Sequence, residues 1–407
     1  MDFTVKTCFI CVILISLTTS IYHIARLNFS SIHSRVTFEK NYGWLIPFVV
    51  RNSSGALKGR SILCRERTQI VFIKTHKTAS STTNSIIQRF GYNRGLAFAL
   101  PKKGHIFTER YLFSRKLLLH QRPPENRTTH FNIIASHLRY NRPELDQVVP
   151  NATYITILRN PIQRFESAFG YYNFARTFKL TNSKTPLEDF MKNADKYFNK
   201  SKGGSNGLLR NGMSSSFGFD HRFDDNDSAI NEMIEKLDKE LDLVMISDYY
   251  EESLVLLKRL LCWGMDDILY ISKGIRSKNR RYDMSQSLAQ KIIKWNKADV
   301  KLFNHFNSTF WKRVNSYGKH FYEDLSEFRT RLQQFHEECV DTNKTKRIQG
   351  REDGIVMKTN TSIQCKLAFK RDTEFHTILR NEAIEKYNIT VKKTTNTSAP
   401  IGNMTKV

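Results

Sequence analysis

Short apolar segments, each followed by a polar turn and a helix-like pattern, recur through the middle of the chain. Four stand out, at residues 69–73, 131–135, 152–158 and 241–246. Segments this short and this rich in Ile, Val and Phe are typical of strands buried on both faces of a sheet. Because strands that alternate with helices pair in parallel, the pattern predicts an α/β domain with a central parallel sheet flanked by helices.

Three helices are predicted from stop signals and apolar spacing. One begins at Ser80 and is expected to end at Gly91, and a leucine-rich helix is expected over 250–262. Apolar residues from Leu325 to Cys339 recur at spacings of three and four, which favours a helix packed on its own domain over a coiled coil. With 40% hydrophobic and 12% aromatic residues, the chain has the side chains for a core, which excludes disorder of the whole chain.

Residues 7–24 contain no Lys, Arg, Asp or Glu. Their number is near the lower limit for a transmembrane helix, so we expect a single signal anchor that is not cleaved. A cleaved signal peptide is the alternative, because residues 18–20 are small. The chain then divides into a cytoplasmic tail (1–6), the anchor (7–24), a lumenal stem (25–66), a main domain (67–340) and a partly helical C-terminal extension with a disordered end (341–407).

The formal net charge is +25 at pH 7, which attracts polyanions such as nucleic acids, anionic lipids and ligands that carry phosphate or sulfate. The chain also has twelve Asn-X-Ser/Thr sequons. This is about three times the number expected by chance and indicates a glycosylating lumen, which argues against nucleic acid as a partner. The sequons lie at Asn28, Asn52, Asn126, Asn151, Asn199, Asn226, Asn307, Asn343, Asn360, Asn388, Asn396 and Asn403.

Four cysteines follow the apolar segment, at Cys64, Cys262, Cys339 and Cys365. An even number in an oxidising lumen allows two disulfides, in any of three pairings. The spacing of these cysteines is not that of a zinc site.

The turn after the first predicted strand carries the residues for binding an anion. It comprises residues 74–82 and leads directly into the helix at Ser80, so backbone N–H groups and the positive end of the helix dipole face one point. Lys77 adds a cation, and Ser80, Ser81 and Thr82 add hydroxyl donors. The turn resembles a P-loop, but it lacks the glycines of a Walker sequence, which disfavours an ATPase or a nucleotide kinase.

A second anion-binding element follows the third predicted strand. Arg159 ends that strand, Pro161 begins a helix, and Ser167 lies eight residues after the arginine. We expect the Arg159 guanidinium and the Ser167 hydroxyl to converge on one phosphate group. For the first turn alone, a basic helix start capped by a serine is the alternative interpretation. The second element favours a ligand with phosphate groups.

The two elements together resemble the signature of enzymes that use 3′-phosphoadenosine 5′-phosphosulfate, and the stretch from Ile70 to about Ser316 resembles the galactose-3-O-sulfotransferase family. The segments that carry the resemblance are 70–82, 157–167, 250–270 and 305–311. It implies a P-loop-like sulfotransferase fold, with the main domain as the catalytic domain.

The resemblance also implies a sulfate donor, 3′-phosphoadenosine 5′-phosphosulfate, and the residues that bind it. Its 3′-phosphate would lie on Arg159 and Ser167. Its 5′-phosphosulfate would lie on Lys74, Thr75, Lys77, Thr78, Ala79, Ser80, Ser81 and Thr82. Sulfuryl transfer moves negative charge onto the leaving phosphate oxygen, and Lys77 is the residue expected to stabilise that charge.

Histidine is the usual base for activating a hydroxyl at neutral pH. His137 follows the second predicted strand and is therefore expected at the same sheet edge as the first turn, where the family also has a histidine. His76, between Lys74 and Lys77, is the second candidate, because two nearby cations lower the pKa of an imidazole. No metal is expected, and the motif-like Asp225 and Asp227 are interpreted as a solvated acidic turn.

By resemblance, the acceptor is the 3-hydroxyl of a terminal β-galactose, on a galactosylceramide-type glycolipid or on a glycan. The expected location is the Golgi membrane, with the catalytic domain in the lumen and a single membrane pass. A Golgi sulfotransferase that acts on glycosaminoglycan is one alternative. A carbohydrate-binding ectodomain without catalytic activity is another, although it would not require Lys77, Arg159 and Ser167 at these spacings. The sequence leaves the oligomeric state open.

Overall fold

A computed structural model of the chain describes residues 64–120, 130–198, 207–272, 281–348 and 352–386. The predicted cytoplasmic tail and anchor, the stem up to residue 63 and the end of the C-terminal extension lie outside these residues. Among the helices that are described, none has the length and apolar character needed to cross a membrane.

Four parallel strands form the central sheet: β1 (Ile70–Ile73), β2 (Ile133–Ile134), β3 (Thr153–Leu158) and β4 (Leu243–Ile246), in the spatial order β2-β1-β3-β4. Ile70 pairs with Ile133 on one side and with Thr153 on the other. Every residue of these strands is buried, as the sequence pattern predicts. The predicted α/β class and parallel sheet are confirmed, although β2 is shorter than the segment 131–135. A separate antiparallel pair, β5 (Val340–Ile348) and β6 (Glu352–Met357), follows the last long helix.

Helices cover the sheet. In the described part of the chain they are α1 (Ser80–Asn93), α2 (Arg142–Val148), α3 (Pro161–Tyr171), α4 (Phe174–Thr177), α5 (Pro186–Lys192), α6 (Ala194–Tyr197), α7 (Gly212–Ser216), α8 (Asp227–Glu240), α9 (Tyr250–Leu261), α10 (Gln286–Trp295), α11 (Lys297–Tyr317), α12 (His320–Cys339), α13 (Ile363–Phe369) and α14 (Asp372–Lys386). The predicted helices over 250–262 and up to Cys339 are confirmed as α9 and α12. The apolar stripe of α12 is buried from Leu325 to Cys339, and α12 packs on α9 within the same unit.

Gly91 does not end the first helix, as the sequence suggested, because α1 continues to Asn93. Its lack of a side chain serves packing instead. A Cβ at Gly91 would lie 2.4 Å from Cζ of Phe98 and 2.6 Å from Cδ1 of Ile133 in β2. The position therefore sets how closely α1 approaches the edge of the sheet.

The two disulfides are Cys64–Cys262 and Cys339–Cys365. The first joins the start of the described chain to the residue that caps α9. The second joins the end of α12 to α13, across a sequence separation of 26 residues. This second link fastens the predicted C-terminal extension to the main domain, and α13 and α14 both pack on α1.

We expect Gly91→Ala to lower the free energy of unfolding by about 1–3 kcal/mol, because the added methyl group overpacks a core contact. The measurement is urea unfolding of the purified protein. Gly264→Ala is the matched control, since its Cβ would make only an ordinary 3.4 Å contact with Oδ2 of Asp267. Equal effects of the two substitutions would contradict this account of Gly91.

Candidate active site

The loop between β1 and α1, residues 74–79, is here called the anion loop. Lys77 and Ala79 both adopt left-handed backbone conformations, with φ of 63° and 64°. This conformation is unfavourable for residues with a Cβ and is typical of sites where the backbone is held for function. The N–H groups of Thr78, Ala79, Ser80 and Ser81 have no acceptor among the residues that the structure describes. The loop thus presents several backbone donors at the start of α1, as an anion site requires.

Hydroxyl groups of the anion loop and of Ser80, the first residue of α1, fix the shape of the loop. Oγ of Ser80 donates to the Thr75 carbonyl at 2.5 Å, and the Thr78 and Thr75 hydroxyl oxygens lie 2.8 Å apart. The Thr75 hydroxyl donates to the carbonyl of Ile157 in β3. These three hydroxyls, predicted to face the donor, therefore hold the loop to itself and to the sheet. Ser81 is half-buried at the start of α1.

The second predicted element meets the anion loop directly. Nη1 of Arg159, just after β3, donates to the Lys77 carbonyl at 3.1 Å. Nη2 of Arg159 lies 3.4 Å from Oε1 of Gln163 in α3, and Nζ of Lys77 lies 3.6 Å from the ring centroid of Tyr171. Gln163, Ser167 and Tyr171 are spaced by four residues and share one face of α3. Ser167 therefore lies between the residues that contact the two cations.

His76 and His137 stack in parallel, with ring centroids 3.9 Å apart and planes 6° apart. Nε2 of His76 is 3.0 Å from Oε1 of Glu109, and its Nδ1 is 2.8 Å from the Tyr172 hydroxyl. Burial alone would raise the pKa of Glu109, but its hydrogen bond with His76 and the nearby imidazoles of His76 and His105 bring it below its ordinary value. An ionised carboxylate only accepts, so Nε2 of His76 carries the hydrogen and Nδ1 accepts from Tyr172. Both nitrogens of this candidate base are thus occupied.

His137 has a different pattern. Its Nδ1 lies 3.1 Å from the Lys74 carbonyl, which can only accept, so Nδ1 carries the hydrogen and Nε2 carries the lone pair. Nε2 has no partner among the described residues, and the side chain keeps 8% exposure. Burial lowers the pKa of His137 well below 6.5, and His76 and Lys74 lower it further. At neutral pH the imidazole is neutral and able to accept a proton.

Lys74, which was predicted to bind the donor, has a side chain that is 1% exposed, and its ammonium group forms an ion pair with Asp372 in α14. Burial alone would raise the pKa of Asp372, but the Lys74 charge, His376 and the hydrogen bonds from Lys74 and Asn84 together lower that pKa to about 2. Asp372 follows Lys74 by 298 positions. No local pattern around Asp372 signals this partnership, so sequence reasoning missed it.

Sequence reasoning also missed Glu109, Tyr172 and Arg164. The Arg164 guanidinium is fully buried and donates from Nη1 to the Leu208 carbonyl at 2.8 Å. The guanidinium fills the space beside Gly212 that a side chain there would need, since a Cβ at Gly212 would lie 1.8 Å from Nη2 of Arg164. Burial lowers the pKa of His76 most, Glu109 opposes this, and the charge of Arg164 adds to the lowering.

The acidic turn is engaged in surface ion pairs. Asp225 accepts from Nη2 of Arg210 at 2.6 Å, and Asp227 pairs with Lys297 at 2.7 Å and with Lys301. The two carboxylates thus face different cations on different elements.

A sequence profile described as galactose-3-O-sulfotransferase matches residues 6–355. The chain belongs to the galactose-3-O-sulfotransferase family. The match confirms the family suggested by the four segments of the sequence, and it includes the anion loop, His137 and Arg159. It ends before α13 and α14.

Individual relatives agree with the family. The chain is 36% identical to galactosylceramide sulfotransferase of Bos taurus over 282 residues, 68% of this chain and 65% of the bovine protein. It is 32% identical to galactose-3-O-sulfotransferase 2 of Mus musculus over 297 residues, 70% of this chain and 73% of the mouse protein. It is also 36% identical to galactose-3-O-sulfotransferase 3 of Bos taurus over 274 residues, 65% and 62% of the two chains. The chain thus spans just under two thirds of the length of the bovine galactosylceramide sulfotransferase.

We expect the imidazole of His137 to titrate below pH 6.5 and to be protonated on Nδ1 when neutral, because burial and nearby positive charge disfavour the imidazolium. The measurement is an NMR titration of ¹³C-histidine-labelled protein, with the His137 resonance assigned by its loss in His137→Gln. A midpoint at or above pH 6.5 would contradict the burial and charge environment described for this ring.

Proposed function

We propose that this protein transfers a sulfuryl group from 3′-phosphoadenosine 5′-phosphosulfate to the 3-hydroxyl of a terminal β-galactose. The observation that carries the proposal is the meeting of the anion loop, Arg159 and the His137 imidazole at one edge of the sheet. Family membership supports the reaction class. The similarity to galactosylceramide sulfotransferase supports a galactosyl acceptor, with the glycolipid as the first candidate and a glycan as the second.

The donor fits the groups that the site offers. The free N–H groups of residues 78–81 and the ammonium of Lys77 would hold the 5′-phosphosulfate, with the Ser81 hydroxyl as a further donor. Thr75, Thr78 and Ser80 would act indirectly, by holding the loop, and Thr82 lies in the first turn of α1. Arg159 and Ser167 would hold the 3′-phosphate. Lys74 would stay paired with Asp372, so its contribution would be to the loop and to His137.

The chemistry follows from the positions of two side chains. Nε2 of His137 removes the proton from the acceptor hydroxyl as its oxygen attacks the sulfur atom. The bond between sulfur and the 5′-phosphate oxygen breaks, and its electron pair stays on that oxygen. Lys77 leaves the Tyr171 ring and stabilises the negative charge that develops there. Interactions that strengthen with this charge lower the barrier selectively. In this scheme the lysine and the loop N–H groups supply the positive charge that the leaving group needs.

His76 supports His137 in this scheme. Its two nitrogens are held by Glu109 and Tyr172, so its ring is fixed and offers a flat surface on which the His137 ring lies. The assignment makes His137 the catalytic base and His76 its support.

We also propose that the enzyme works in the Golgi lumen and is held by a single membrane anchor at residues 7–24. The sequons and the two disulfides support an oxidising, glycosylating compartment.

The reaction is tested by incubating the full chain with a ³⁵S-labelled donor and a set of acceptors: galactosylceramide, lactosylceramide, N-acetyllactosamine and desulfated heparin. We expect label on the galactosides, and a fall in kcat of about 10²–10³ for Lys77→Ala. Lys102→Ala, which removes an exposed lysine, is the control and should leave the rate unchanged. Label on heparin alone would overturn the acceptor, and a chain that neither transfers sulfate nor binds the nucleotide would overturn the reaction.

The two histidines are distinguished by matched substitutions. We expect His137→Gln to lower kcat by about 10²–10⁴, the usual contribution of general base catalysis, with little change in the KM for the donor. His76→Gln keeps a hydrogen-bonding side chain between Glu109 and Tyr172, so its loss should be about tenfold. A larger loss of kcat for His76→Gln than for His137→Gln would assign the base to His76.

A further inference from the structure

The C-terminal helix α14 reaches the catalytic edge of the sheet, although it lies beyond residue 355, where the match to the family ends. It packs against α1, and its residues contact the ends of both β1 and β2. The disulfide Cys339–Cys365 fastens the preceding helix α13 to α12. A segment outside the family match is therefore built into the site.

Asp372, the first residue of α14, forms the central contact. Its carboxylate pairs with the Lys74 ammonium and accepts from Nδ2 of Asn84 at 2.6 Å. It is the only carboxylate within ion-pair distance of Lys74 in the part of the chain that the structure describes. Lys74 is almost completely buried, and an unpaired buried ammonium is strongly unfavourable. The position of Lys74 thus depends on a helix nearly three hundred residues away.

Two further contacts connect α14 to the segments that carry His137 and His105. Nε2 of His376 lies 2.8 Å from Oγ of Ser136, the residue before His137. The Arg380 guanidinium donates to the carbonyl of Gly104, the residue before His105. The rings of His105 and His137 are 6.1 Å apart. Helix α14 therefore forms a hydrogen bond with each of the two segments that carry these histidines.

We propose that α14 completes the active site and that Asp372 is a positioning residue for His137. Lys74 connects the two residues. Asp372 holds the Lys74 side chain through the ion pair, and the Lys74 backbone carbonyl orients the His137 imidazole. The catalytic half of this inference rests on the function proposed above, whereas the structural half does not. Asp372 also has an electrostatic role, because its negative charge offsets the Lys74 charge near the His137 imidazole.

The sign of the electrostatic effect follows from the groups around His137. Removing the Asp372 carboxylate leaves the Lys74 charge uncompensated, which disfavours the imidazolium and lowers the pKa of His137 further. Removing the Lys74 charge has the opposite effect. The other titratable groups around or next to this ring, on the elements packed against it, are His76, His105, Glu109 and His376.

The test compares Asp372→Asn with Glu374→Gln in the full chain. Glu374 is in the same helical turn, but it pairs with Arg371 on the surface, so its substitution removes a carboxylate without affecting Lys74. We expect Asp372→Asn to lower kcat about tenfold, with the donor KM within about twofold of the wild type, because the base is both displaced and weakened. Glu374→Gln should match the wild type in both parameters.

An NMR titration of His137 separates this inference from the reaction itself, since it needs no turnover. We expect its midpoint to move to lower pH in Asp372→Asn and to stay in place in Glu374→Gln. Lys74→Met, which keeps the carboxylate, should move the midpoint to higher pH, and it serves as the test if Asp372→Asn does not fold. A midpoint that stays in place in these variants would overturn the inference even if the enzyme is a sulfotransferase.

Turnover gives two further ways to overturn it. A higher kcat or a lower donor KM in Asp372→Asn would make Asp372 a competitor of the donor at the anion loop. If Asp372→Asn keeps the wild-type kcat and lowers only the unfolding temperature, the ion pair between Lys74 and Asp372 contributes to stability and not to catalysis.

Discussion

Strand β1 pairs in parallel with β2 on one side and with β3 on the other, and the rest of the site depends on this arrangement. Parallel pairing puts the carboxyl ends of all three strands at one edge of the sheet, so the residues that follow them meet. The anion loop follows β1, Ser136 and His137 follow β2, and Arg159 follows β3. Each of the three segments then bonds to another: His137 to the Lys74 carbonyl, and Arg159 to the Lys77 carbonyl.

Burial of charge is the second constraint at this edge. Burial of the two stacked histidine rings lowers the pKa of both; the Lys74 charge lowers both further, and the buried Arg164 charge adds to the lowering at His76. Two neutral imidazoles can stack closely, whereas two imidazolium ions would repel each other. Two carboxylates offset the positive charge at this edge: Asp372 pairs with Lys74, and Glu109 contacts His76. The site thus has two neutral imidazoles in its centre and fixed charges around them.

Local sequence pattern predicted the strands, and it also predicted that the anion loop, Arg159 and His137 would meet at one edge of the sheet, because each of these segments directly follows a strand. A turn that leads a buried strand into a helix presents the same backbone donors whichever strands lie next to it in the sheet. The same reasoning failed at Gly91, where the requirement is a close contact with Phe98 and Ile133 rather than a helix stop. It also missed Glu109, Arg164 and Asp372, since nothing near these residues shows which distant group they will meet. It placed Lys74 among the donor ligands, but only the fold shows that its ammonium is already paired.

In the proposed reaction the anion loop binds the donor's 5′-phosphate, while Asp372 keeps Lys74 in place and the Lys74 carbonyl orients the His137 imidazole. The most direct measurement is an experimental structure of the full chain with 3′-phosphoadenosine 5′-phosphate. We expect the 5′-phosphate on the N–H groups of residues 78–81 and on Nζ of Lys77, the 3′-phosphate on Arg159 and Ser167, and an intact ion pair between Lys74 and Asp372. A nucleotide bound elsewhere, or a phosphate that takes Lys74 from Asp372, would contradict it.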